Sequence, residues 1–100
     1  MVSDKPLDYD AEIDKLKASM LTKLRARESV NPNGWYSSSI ESLIDRLYEE
    51  VHELAAAAHD CDGIRYEPDE VMKEAGDVAN FAMMIHNIAQ HEKERDNDTD

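Results

Sequence analysis

At 100 residues the chain is one domain with room for only a modest core, so partner subunits are expected. Its 23 acidic and 11 basic residues give a formal net charge of −12 and a pI near 4.6, a field that repels nucleic acid polymers and anionic membranes and obliges any phosphate-bearing ligand to arrive with cations. One cysteine, Cys61, excludes an intrachain disulfide framework; the opening MVSDKPLDYD lacks the regions of a signal peptide, and no stretch nears the roughly 18 apolar residues of a membrane span, which together point to a cytoplasmic protein off the membrane.

Glycine and proline fall at Pro6, Pro32, Gly34, Gly63 and Pro68, where boundaries are expected, with Gly76 inside a helix as the exception. After an N-terminal extension over residues 1–7, a first helix is predicted over about residues 8–27, carrying Ile13, Leu16, Met20, Leu21 and Leu24 at helical spacing. It stops before the turn Asn31-Pro32-Asn33-Gly34. The serine run 37–39 opens a second helix that extends to about His59, with Glu41 placed for a capping box if Ser38 is the cap. Its apolar stripe is Ile40, Leu43, Ile44, Leu47, Val51, Leu54 and Ala58. The segment Asp60-Cys61-Asp62-Gly63 lacks the alternating acids of an EF-hand loop and reads as a turn.

A third helix is predicted from near Pro68 to about Glu94, with Asp69 and Glu70 in its first turn, where the helix dipole favours acids. Its expected core stripe is Val71, Ala75, Val78, Ala82, Ile85 and Ala89. Residues 78–88, VANFAMMIHNI, are apolar almost all round, which a small monomer cannot bury, and therefore read as a subunit interface. The tail over residues 92–100 carries five acids, two bases and no apolar residue, and is expected to be frayed or disordered beyond the helix. The folded domain then spans residues 8–91. The fold class is all-α: a helical hairpin with a preceding helix, oligomerising into a four-helix-bundle-like core.

Four carboxylates carry the chemistry. Glu50 and Glu53 on the second helix, and Glu74 and Asp77 on the third, are two i, i+3 pairs equally distant from a turn at about Gly63. In an antiparallel hairpin each residue rises about 1.5 Å in both arms, so the pairs meet at one height. With about 100° per residue, both pairs border the apolar stripes, which makes them half-buried acids facing one another. Such a group repels itself unless a positive charge enters it, and oxygen ligands suit a hard cation such as Mg²⁺. Acids at i, i+3 also occur on plain solvated faces, and spacing alone leaves both readings open.

The segment Glu49-Glu50-Val51-His52-Glu53, followed by Glu74-Ala75-Gly76-Asp77, resembles the EExxE and ExxD signature of the MazG-like all-α nucleoside triphosphate pyrophosphohydrolases. The likeness takes in Trp35, the helix bearing Leu43, Leu47 and Leu54, and the continuation Val78-Ala79-Asn80-Phe81-Ala82, and covers roughly Gly34 to Ala89, over half the chain. It implies that Glu50, Glu53, Glu74 and Asp77 bind Mg²⁺, with Mn²⁺ as a substitute, and that a nucleoside triphosphate is hydrolysed to the monophosphate and pyrophosphate. Glu49 or Glu53 is the candidate for orienting the attacking water. Related small proteins often carry a lysine in the turn before the Gly-Trp pair; with Asn31-Pro32-Asn33 there, that phosphate contact is either absent or supplied by the first helix. The resemblance also implies a homodimer or homotetramer.

For substrate binding, Trp35, the only Trp, is the candidate for stacking on the base, with a core anchor or hydrophobic staple as the alternative. Asn80 either bonds a phosphate or sugar oxygen or makes a polar contact between subunits. Lys73 beside Glu74, and Lys23, Arg25 and Arg27 near the end of the first helix, are candidate triphosphate clamps or ordinary surface charge. The histidines lack the HExxH spacing of a zinc helix, and the five methionines read as packing. The readings that compete with NTP hydrolysis are a pyrophosphohydrolase of another phosphorylated metabolite, such as phosphoribosyl-ATP, and a non-catalytic helical module that binds metal or a protein partner.

Overall fold

Each helix begins where the chain offers a side-chain acceptor or a proline. The structure, a computed structural model, describes residues 6–59 and 65–98. It contains α1 (Tyr9–Val30), one turn of 3-10 helix (Gly34–Ser37), α2 (Ile40–Ala58) and α3 (Pro68–Asp98). The expected turn at Gly63, with Cys61, lies outside the described residues. Asp8 caps α1, its carboxylate accepting the Ala11 N–H at 3.2 Å. The chain then reverses through Asn33, whose φ of 56° is left-handed, a conformation asparagine tolerates, and whose N–H donates to Glu28 Oε1 at 3.0 Å.

The cap of α2 is Ser39 rather than Ser38. Its hydroxyl accepts the Ser42 N–H at 3.1 Å, whereas the Ser38 N–H is already committed to the Trp35 carbonyl at 3.0 Å and closes the 3-10 turn. That turn was not foreseen in the serine run. It is tied to α3 by a 2.7 Å hydrogen bond between Tyr36 Oη and His91 Nε2. Pro68 opens α3, which continues to Asp98, past the expected end near Glu94.

α2 and α3 pack as a helical hairpin, and α1 lies against α3. The core is small: Leu43 of α2 with Phe81 and Met84 of α3 are buried, backed by Leu24, Trp35, Leu47, Met83, Ile85 and Ile88. α3 is therefore rotated from its expected orientation, because Gly76, Asp77, Asn80, Phe81 and Met84 are buried while Ala82 and Ala89 are exposed. A segment that is apolar all round gives no phase of its own, and the arrival of α1 over Asp77 and Asn80 sets it. α2 turns likewise: Leu43, Leu47, Glu50 and Leu54 form the inward row, and Ile44, Tyr48 and Val51 are exposed. On α1 only Met20, Leu21 and Leu24 of the expected stripe are half-buried, and Ile13 and Leu16 are exposed.

At Gly76, α1 and α3 approach closely. A Cβ there would lie 3.2 Å from Ser19 Cβ and 3.6 Å from the Ser19 carbonyl carbon, so the missing side chain lets the two helices touch.

Candidate metal centre

Glu50 is half-buried in the inward row of α2, and its carboxylate turns into the hairpin seam. Glu74 and Asp77 lie one turn apart on the facing side of α3. One carboxylate oxygen from each of Glu50, Glu74 and Asp77 lies within 4.8 Å of the others. Ligands that each stand about 2.0–2.6 Å from a shared hard cation are at most about 5 Å apart, so these three oxygens are spaced for one ion.

Electrostatics agree with that spacing. Glu50 Oε2 and Glu74 Oε2 are buried and have no hydrogen-bond partner among the described residues. Burial pushes the pKa of Glu50 up, and the charges of Glu53, Asp77 and Glu74 push it further. Glu74 is raised by burial first and by Asp77 and Glu53 next, with Lys73 pulling weakly the other way. Each carboxylate is disfavoured as an anion by its surroundings, which is the condition a cation relieves. Among the described residues, a single ion pair is formed within this group: Lys23 Nζ of α1 reaches Asp77 Oδ2 at 3.2 Å.

Asn80, one turn after Asp77, is 3% exposed. Its Nδ2 donates to the Met20 carbonyl of α1 at 3.2 Å, and its Oδ1 is buried without a partner among the described residues. A cavity of about 20 Å³, lined by Lys23, Arg27, Glu50, Asp77 and Asn80 among others, opens beside the acids. It has room for about one water molecule or ion. Orphaned carboxylate oxygens, raised pKa values and a small polar cavity together fit a divalent cation held by Glu50, Glu74 and Asp77.

The remaining site residues fall around this group. Glu53 is exposed and stands outside the three-oxygen cluster, close enough for its charge to repel both Glu50 and Glu74. Glu49 is also exposed and pairs with Arg46 Nε at 3.2 Å. Trp35 is half-buried against the core and lines a separate recess with Arg27, Arg46 and Phe81. Lys73 is exposed and lines an open groove with Lys23 and Asp77.

Sequence reasoning missed two residues of the recess that adjoins this centre. Arg46 stands four residues before Glu50, one helical turn away on the same face, a spacing that would have placed it beside the acids. Phe81 reads as one more apolar residue in VANFAMMIHNI, and nothing local marks it. Compared with protein-family models, curated proteins and solved structures, the chain matches none.

Proposed function

We propose that this chain is a divalent-cation-binding helical domain whose cation serves the hydrolysis of nucleoside triphosphates to monophosphates and pyrophosphate. The observation that carries the metal reading is the convergence of Glu50, Glu74 and Asp77 within 4.8 Å, with two of their oxygens buried and without a partner among the described residues. What supports hydrolysis is the likeness of Glu49 to Glu53 and Glu74 to Asp77 to the pyrophosphohydrolase signature, together with a ligand-sized recess beside the cluster. A bound Mg²⁺ would neutralise phosphate charge and lower the pKa of a water ligand. The chain's own part is to hold that charge between two helices, with Glu53 at the open edge as the acid that orients the water. A metal-binding module without turnover is the second reading, and the bare geometry favours it, since the cluster accounts for a cation and nothing more.

Titration calorimetry with Mg²⁺ and Mn²⁺, run beside pyrophosphate release from a panel of NTPs and dNTPs, separates the two. Both readings expect the parent to bind cation, and Glu50→Gln and Asp77→Asn to lose binding at least tenfold. Only the hydrolase reading expects pyrophosphate. Glu50→Gln should keep or gain metal-free stability, because it removes an anion that burial disfavours. A parent that binds no divalent cation would overturn both readings.

A further inference from the structure

The recess beside the acids has a feature that the metal does not explain. The guanidinium carbons of Arg27 on α1 and Arg46 on α2 each stand 5.4 Å from the centre of the same Phe81 ring. Cation–π contact of this kind fixes a guanidinium group while leaving its N–H edge available to an anion. Arg27 has no carboxylate partner among the described residues, and Arg46 is engaged through Nε by the exposed Glu49 alone. Two guanidinium groups gathered on one ring repel each other, and together they form a local positive spot that attracts an anion.

Both arginines line a recess of about 390 Å³ whose other walls include Trp35, Ser38 and Ser42. That volume lies in the range of small-molecule sites, and its lining pairs an aromatic wall with charged and hydroxyl donors. Arg27 and Phe81 also line the small cavity beside Glu50 and Asp77, so the recess adjoins the candidate cation site.

We propose that Arg27 and Arg46 form an anion subsite for the phosphate closest to the nucleoside, with Trp35 facing the base, so that the recess holds the nucleoside monophosphate half of the ligand without help from the metal. This rests on the nucleotide reading of the site and adds an orientation to it. The monophosphate end lies toward Trp35, and the departing pyrophosphate lies beyond the acids, toward the groove lined by Lys23 and Lys73. Guanidinium recognition of a phosphate is bidentate and charge-assisted, so lysine is a poor replacement for either arginine.

Trp35 is the only tryptophan and reports on its own recess. The experiment titrates the full chain, in chelator and without divalent cation, with nucleoside 5′-monophosphates, the parent nucleosides and inorganic phosphate, reading Trp35 fluorescence. Monophosphates should change the emission at concentrations where nucleosides and inorganic phosphate do not, and the affinity should fall as salt is raised. Arg27→Gln and Arg46→Gln should each weaken monophosphate binding about tenfold or more, with helicity checked by circular dichroism. Absence of a monophosphate response in the parent, an equal response to nucleoside or inorganic phosphate, or unchanged affinity in both variants would overturn the subsite. Monophosphate binding with no pyrophosphate release would remove the hydrolysis reading and leave the subsite standing. Pyrophosphate release with kcat and KM unchanged in both variants would do the reverse.

Discussion

Asp77 is only 8% exposed, and its oxygens are claimed from two sides: by the candidate cation site with Glu50 and Glu74, and by Lys23 Nζ at 3.2 Å. Lys23 is half-exposed, so the pair contributes about 1 kcal/mol at most. Because Lys23 competes with a cation for the same carboxylate and repels it, Lys23→Met should lower metal-free stability slightly and tighten Mg²⁺ or Mn²⁺ binding severalfold. Calorimetry and thermal melts of one variant check both signs. The raised pKa values of Glu50 and Glu74 set a pH dependence as well. An acid whose folded pKa exceeds its unfolded value binds more protons when folded, so its share of stability is full below about 4.5 and is lost as pH rises through the folded value. Metal-free protein should therefore lose part of its stability across that window, and saturating Mg²⁺ should recover it, most at the upper end. A stability curve that rises over the same window without cation would contradict the burial of these two carboxylates. At this scale the convergence of Glu50, Glu74 and Asp77 was legible, because spacing and symmetry marked them, whereas the same spacing gave no reason to set Glu53 outside the cluster. The lysine and the asparagine that complete the group were legible only as chemistry, since their partners lie 54 and 60 residues away.

Among the elements, the contact of α1 with α3 decides the most. Gly76 to Ala raises intrinsic helix propensity by about 1 kcal/mol, yet it places a methyl 3.2 Å from Ser19 Cβ, with backbone close behind. The neighbour is a helix rather than the end of a flexible side chain, and overpacking of this kind costs about 1–3 kcal/mol. Gly76→Ala should therefore be net destabilising in urea denaturation, and should weaken the Lys23–Asp77 pair as α1 lifts. A more stable variant would show that α1 does not rely on this approach. The helices themselves could be read from the sequence, because proline, glycine and capping side chains punctuate them. Their rotation could not. Expected rows on α2 and α3 placed the acids half-buried at the border of the core, where Glu50 and Glu74 stand, whereas Asp77 is buried within it. Hydrophobicity alone assigns the inward side to Ile44, Val51 and Ala82, and those residues are exposed in the single chain.

Taken as one body, the described chain measures 57 × 33 × 24 Å around three buried apolar side chains, Leu43, Phe81 and Met84. A core this small leaves little margin: truncating Leu43 to Ala should cost about 2–5 kcal/mol of a total of about 5–15, visible as a lowered urea midpoint. Ile44, Tyr48 and Val51, at i, i+4 and i+7 on the outer side of α2, remain exposed, and they are the residues a second copy would cover. If the chain assembles through this row, Tyr48→Lys with Val51→Lys should reduce the mass measured by light scattering to that of one chain; an unchanged mass would place any assembly elsewhere. Among the described residues, the buried acids belong to the α2–α3 hairpin and their one ion pair comes from α1, whose first half, with Ile13 and Leu16, is exposed. The negative and positive halves of the site thus sit on pieces that can open separately. In amide hydrogen exchange, α1 should be protected less than the hairpin, and each opening of α1 withdraws Lys23 and bares Asp77. The helix then acts as a movable counter-ion, and the acids are most receptive to a solvent cation in the moments when it is gone.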